Sequence, residues 1–395
     1  MPVLSRRLLS AALLGLVATA LGATAPAASA RHHSSSRHHS SSLVVGHVYV
    51  NDNTTGTNTI AAFDRQSDGS LTPEAGSPFT AGGAGTGSGL ASQGALQVSP
   101  DGRFLIAVDA GSNQISVLRI RHDGTVTLVH GSVVSSAGDT PVSVTISGNL
   151  VYVANAGSSG ANFTGFRLSR SGQLHPIAGS TVTLPSDAQP GDVLFNGDGT
   201  KLVGTLVGTS QIASYIVLHN GLLASAPDSP FTAQGLGPFG GEFRPTDSNQ
   251  LFVSNAHNAA SNSGTVSAYR DSSNGNLTSI GSSPFADLQM APCWVEISHD
   301  GKYLFAVNTA SGSISTYSIA HDGSLTLLGS TPIKGTTTLG AVDARLSPDD
   351  RWLYVDESKT GAVATFAVRA GTLTELAGSP TSLPTGAAPA GVVVN

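Results

Sequence analysis

The sequence repeats itself at a period near 50 residues, and this self-similarity constrains the fold more than any other feature. The stretch Gly301-Lys302-Tyr303-Leu304-Phe305-Ala306-Val307-Asn308 recurs along the chain, as do the Ser313-Ile314-Ser315-Thr316-Tyr317 and Asp322-Gly323-Ser324-Leu325-Thr326 stretches that follow it. At the position of Asn308 stand, in chain order, Asp52, Asp109, Asn155, Leu206, Asn255, Asn308 and Glu357, at spacings of 57, 46, 51, 49, 53 and 49 residues. Seven units follow. A glycine recurs with equal regularity, at Gly69, Gly124, Gly172, Gly221, Gly275, Gly323 and Gly371. Only glycine takes positive φ freely, so these residues mark hairpin turns between the third and fourth strands of each unit. A second turn, seen in Ser99-Pro100-Asp101-Gly102 and Ser347-Pro348-Asp349-Asp350, joins strands one and two. Four antiparallel strands, repeated seven times, predict an all-β chain folded as a seven-bladed β-propeller.

Composition agrees with this reading. Of 395 residues only 11% are charged while 47 are glycine, a balance that suits short strands and tight turns and argues against a helix-rich enzyme. Ring closure is legible too. The first unit, starting at His47-Val48-Tyr49-Val50, lacks the leading strand that other units have, and the chain ends on a spare one, Gly391-Val392-Val393-Val394-Asn395. That tail is expected to serve as the inner strand of the first blade, leaving no free edge. Inner strands are expected to run about five or six residues.

Residues 1–30 carry Arg6 and Arg7, an apolar run from Leu8 to about Leu21, and Ala28-Ser29-Ala30, the pattern of a cleaved signal peptide. The apolar run is shorter than the roughly 20 residues a membrane span needs. Cleavage after Ala30 and secretion or extracytoplasmic localisation are therefore expected, with no membrane span in the mature chain. Residues 31–43 hold a duplicated Arg-His-His-Ser-Ser-Ser tract with no apolar side chain to pack, read as a disordered linker, and the propeller is assigned to 44–395. After residue 30, 17 basic side chains face 25 acidic ones, which excludes a nucleic-acid footprint. The single cysteine, Cys293, rules out an intramolecular disulfide.

The Tyr152-Val153-Ala154-Asn155 and Ala306-Val307-Asn308 stretches, with their Asp-Gly turns, resemble the YVTN repeats of lactonase-type seven-bladed propellers. That family includes 6-phosphogluconolactonase and carboxymuconate lactonising enzymes, and the resemblance spans residues 46–395. The Gly85–Leu96 stretch and Pro292-Cys293-Trp294-Val295 are most similar to the family's exported members. The resemblance implies a catalytic Gly-Pro-Arg-His stretch, but the matching residues are Gly237-Pro238-Phe239-Gly240, so the Arg and His are absent. The family's Asn-Glu-Leu aligns with Asn255-Ala256-His257, which lacks the Glu. Membership would thus supply the scaffold without the familiar catalytic set.

Opening a lactone needs a base for water and a cation or hydrogen-bond donor for the developing oxyanion. Such groups must converge where the leading strands line the central channel. One tier there reads Gln97, Thr145, Leu194, Glu242, Glu296, Arg345 and Val393, and the next reads Ala95, Ser143, Asp192, Gly240, Trp294, Asp343 and Gly391. Glu242 or Glu296 is the candidate base and Arg345 the anchor for a carboxylate or oxyanion. Gln93, Asp192, Trp294, Asp343 and His257 are candidate ligand contacts. The same charges could instead pair across the channel and hold neighbouring blades in register. The glycine-rich run from Gly82 to Gly94 is read as a mobile loop over the channel mouth. No cofactor is expected, and no calcium-loop spacing supports a metal site. Two functions follow: a binding module for a small molecule or a cell-envelope partner, monomeric, which the missing catalytic residues favour, or a lactone hydrolase with a rearranged acid/base set.

Overall fold

The structure is a computed structural model describing residues 42–257, 260–335 and 340–395. The expected leader and nearly all of the Arg-His-Ser tract lie outside the described residues. Seven antiparallel sheets form, one from each sequence unit. Their inner strands are Val392–Val394, Leu96–Val98, Pro141–Ser147, Pro190–Phe195, Pro238–Arg244, Pro292–Ile297 and Ala341–Leu346. We number the blades 1 to 7 in that order. Each inner strand packs against the next, and the contacts run from blade 7 through the C-terminal strand to blade 2, so the ring is closed.

The clasp is formed as the sequence leads one to expect. Val392–Val394 pairs antiparallel with Val44–Asn51, setting Tyr49 opposite Val393. Asn395 adds backbone bonds in both directions with His47, and its carbonyl accepts from the Arg65 guanidinium. Two inner strands are nevertheless shorter than expected, at three residues each in blades 1 and 2. In blade 2 the reason is local. Gly94, at φ +77°, turns the preceding residues out of the ladder and into the channel.

The apolar core lies in layers between blades. Tyr49 and Val393 of blade 1 pack with Leu96 and Leu105 of blade 2, and Tyr152 and Phe163 of blade 3 with Val193 and Tyr215 of blade 4. Three tyrosines also stitch blades together, because a buried hydroxyl needs a partner. Tyr49, Tyr152 and Tyr354 each donate to the carbonyl of the recurring glycine in the next blade, at Gly124, Gly221 and Gly69. Those glycines do more than allow positive φ. At Gly69 (φ +85°) a Cβ would lie 2.3 Å from the Trp352 ring of blade 7, so the turn also needs a bare Cα for blades to approach.

The polar residue that marks the repeat is a buried latch across the hairpin between strands two and three. Asp52 accepts from Thr59 at 2.7 Å, Asp109 from Ser116, and the Asn155 and Asn308 amides donate to Asn162 and Ser315 at 2.9 Å. The outermost strand departs from the four-strand expectation. In six blades it breaks into two short pieces, whereas blade 6 keeps one strand, Leu325–Pro332. At each break a serine hydroxyl accepts a strand-three amide: Ser77 from Ala62, Ser132 from Val117, Ser180 from Gly165, Ser229 from Ser214, Ser283 from Ala268 and Ser379 from Thr365. The hydroxyl takes the place of a missing ladder carbonyl, which keeps the amide satisfied.

Candidate functional site

The inner strands run in the same sense, so residues about 50 apart in sequence become neighbours around the axis. At their C-terminal ends they enclose a cavity of about 390 Å³, lined by all seven members of the tier Gln97, Thr145, Leu194, Glu242, Glu296, Arg345 and Val393. Gln93 and Asp192 form its inner end, and His299 stands on the rim, where its Nδ1 lies 2.6 Å from Asp350.

The hydrogen bonds separate carboxyls that the sequence leaves equivalent. Glu296 is fully engaged: Oε2 accepts from Arg345 Nη1 at 3.0 Å and Oε1 from the Leu346 amide at 2.7 Å. Asp192 is tied to Ser143 Oγ and the Gly241 amide, and Asp343 to the amides of Gly94 and Ala344. Glu242 differs. It faces the cavity with a buried oxygen, Oε2, that has no hydrogen-bond partner.

Charge completes the contrast. Burial disfavours the Arg345 cation, but Asp343, Glu296, Glu242 and Asp192 outweigh it and hold the guanidinium firmly protonated. Burial pushes Asp192 up to about 7. Burial, reinforced by the neighbouring Glu296 charge, lifts Glu242 well above the usual carboxylate range, and Arg345 only partly offsets this. Asp356, which the repeat pattern conceals because it falls where Ala154 and Val307 stand in other blades, belongs to the same cluster. It is fully buried, binds the Gly391 amide at 3.0 Å, and is raised by burial and by Asp343.

The glycine-rich segment is not a loop over the mouth. Its end, Ser92-Gln93-Gly94, enters the channel and bonds to five blades. Ser92 Oγ donates to Val142, the Gln93 amide to Gly191, the Gln93 side chain to Gly241 and Val295, and the Gly94 amide to Asp343. Gly240 makes room for it, since a Cβ there would fall 2.0 Å from Gln93 Oε1. The segment therefore divides the channel. Beyond it, at the N-terminal ends of the inner strands, lies a second cavity of about 440 Å³ lined by Leu90, Val142, Pro190, Val207, Phe239 and His257 among others.

The candidate residues thus fall into two groups. Gln93, Asp192, Glu242, Glu296 and Arg345 converge on the first cavity, although Gln93 spends its amide on the backbone. Asp343 is buried behind Arg345, 3.7 Å from its Nη1. Trp294 does not wall this cavity. Its ring packs edge-on to Phe239 at 5.1 Å and its Nε1 donates to the Ser92 carbonyl on the far side of the plug. His257 is exposed at the opposite mouth. Cys293 is buried, with its thiol pushed up to about 12 by desolvation, and is chemically quiet.

Among the described residues, the second cavity holds no arginine and no carboxylate in its lining. Phe239 stands there where the family resemblance would place Arg, and Ala256, just before the lining residue His257, takes the place of the Glu. Comparison with known proteins identifies the family. The profile of the family described as lactonase, seven-bladed beta-propeller, matches residues 17–195 and 242–390, leaving out the stretch that contains Gly237–Gly240. Among solved structures, a candidate 6-phosphogluconolactonase from Bacteroides uniformis is similar at 20% identity and a TM-score of 0.68, covering 89% of this chain and 99% of its own. A second, from Bacteroides fragilis, is similar at 20% identity and a TM-score of 0.66, with 89% and 98% coverage. The periplasmic gluconolactonase PpgL of Pseudomonas aeruginosa shares 18% identity at a TM-score of 0.69, with 88% and 98% coverage. No curated protein matches the sequence. With seven blades, a C-terminal clasp and a profile match over most of its length, the chain belongs to the lactonase family of seven-bladed β-propellers.

Proposed function

We propose that this protein hydrolyses small uncharged lactones in the cavity at the C-terminal ends of the inner strands, with Glu242 as the acid/base. The observation that carries this reading is the unpartnered Glu242 oxygen in a cavity shared with Arg345. A carboxyl whose proton affinity is raised by burial is a better base than an ordinary one, since the useful pKa lies near the working pH. Glu242 takes a proton from water as the water oxygen bonds to the lactone carbonyl carbon. Arg345 stabilises the negative oxygen that results. Collapse of the tetrahedral species breaks the ring carbon–oxygen bond, Glu242 returns the proton to the leaving oxygen, and a hydroxy acid departs.

Family membership and the lactonase names of the similar structures support ring opening as the reaction class. Charge supports a neutral substrate. A phosphorylated lactone would meet Asp192, Glu242 and Glu296 with a single guanidinium already bonded to Glu296. The replacement of the family's catalytic residues by Phe239 and Gly240 favours a second reading, a module that binds a small molecule without turning it over. A panel of aliphatic, sugar and aromatic lactones, incubated with the purified protein and followed by acid release, separates the two. Turnover of at least one neutral lactone supports hydrolysis, whereas saturable binding without acid release supports the module. We also propose export, on the pattern of residues 1–30; N-terminal sequencing of secreted protein is expected to begin at Arg31, and a chain retaining Met1 would contradict it.

A further inference from the structure

Away from both cavities, blade 1 gathers a histidine and two carboxylates with no cation among them. His47 and Asp64 are directly opposed on adjacent strands, and Glu74 follows the next strand, Leu71–Pro73. One ligand atom from each lies within 4.8 Å of the others, and His47 Nδ1 approaches Asp64 Oδ1 to 3.4 Å. At that distance Asp64 is an ion-pair contact, and the buried Nδ1 has no other polar partner and no well-directed hydrogen bond. The Glu74 carboxyl sits beside that of Asp64, a like-charged contact. Arg65, next in sequence, makes no ion pair with either acid; its guanidinium donates to the carbonyls of Val45 and Asn395, and its charge is felt at His47.

We propose that His47, Asp64 and Glu74 bind a divalent transition-metal ion of zinc-like chemistry. A tetrahedral ion with bonds of about 2.0–2.2 Å sets its ligands roughly 3.3–3.6 Å apart, which matches the His47–Asp64 separation. One imidazole nitrogen and two carboxylates suit such an ion and leave one position for water. The neighbouring blade positions the ring. Gly124 lies against the imidazole so closely that a Cβ would come 2.2 Å from Nδ1, and Asp123 beside it adds negative charge. The site also has a structural consequence. The His47 backbone holds Asn395 through bonds of 2.8 to 3.3 Å, so an ion on its side chain braces the strand that closes the ring.

The test uses the full chain with His32, His33, His38 and His39 replaced by Ala, which removes the competing imidazoles of the N-terminal tract. Zinc binding is followed by calorimetry, the coordination by visible absorption of the Co²⁺ form, and stability by melting with and without Zn²⁺. One ion per chain, a tetrahedral Co²⁺ spectrum and a higher melting temperature with Zn²⁺ are expected. Glu74→Gln and His47→Asn are each expected to weaken binding by about tenfold or more and to remove the Zn²⁺-dependent rise in melting temperature. Glu74 is partly exposed and its metal-free melting should match the parent, so this variant reports on the site even where His47→Asn perturbs packing. Absence of binding in the parent, or binding unchanged by Glu74→Gln, would overturn the proposal.

Discussion

Glu242 and Glu296 occupy equivalent positions on neighbouring strands, and what distinguishes them is the number of partners each carboxyl has. Both Glu296 oxygens are bonded, whereas Glu242 keeps one free. Their substitutions should therefore diverge. Glu242→Gln is expected to leave melting within a degree or two of wild type, while Glu296→Gln strips the charge from an ion pair and lowers it. Arg345→Ala leaves Glu296 and Asp343 without their cation, a loss on the order of 3–5 kcal/mol by analogy with other broken buried pairs; chemical denaturation measures it, and a loss below 1 kcal/mol would mean that the acids hold their protons throughout. Sequence reading placed these residues on one tier correctly, because strand register is regular around the ring. It could not rank them, since the ranking depends on which backbone amides come within reach.

At the scale of the element, the plug and the clasp decide how the ring holds its shape. Gln93→Ala removes bonds to Gly241 and both bonds to Val295, leaving buried backbone groups unsatisfied at about 1–3 kcal/mol each. A lower melting temperature and a channel newly permeable to small solutes are expected. An unchanged melting temperature would show that the segment only rests in the channel. Removing Val392–Asn395 should lower melting by about 5 °C or more, and a clasp-free chain that melts normally would contradict ring closure by this strand. The strands, the glycine turns and the clasp were legible because each repeats in sequence. The plug was not, since Gly82 to Gly94 occurs once and its contacts span five blades. The serine hydroxyls at the broken outer strands were not legible either: Ser77, Ser132, Ser180 and Ser379 follow a glycine but Ser229 and Ser283 do not, and the role of each depends on an amide some 15 residues away.

For the whole molecule, buried acids set the pH response. Burial raises Asp52 and Asp192 to about 7 and Asp271 and Asp287 to about 6, from an ordinary 3.8. Such groups bind protons more tightly folded than unfolded, so their contribution is complete below about pH 4 and is lost as pH climbs towards 7. The ring is expected to be more stable at pH 5 than at pH 8 in chemical denaturation, and Asp192→Asn should flatten part of that slope; greater stability at pH 8 would contradict the assignment. The same desolvated interior that costs stability at neutral pH gives Glu242 the proton affinity its proposed role requires. The direct measurement is the hydrolysis rate of a neutral lactone by wild type and by Glu242→Gln, assayed side by side with melting and ligand affinity. The account expects turnover to fall about 100-fold or more while melting and affinity stay near wild type. Equal rates in the two proteins would place the chemistry elsewhere and contradict it.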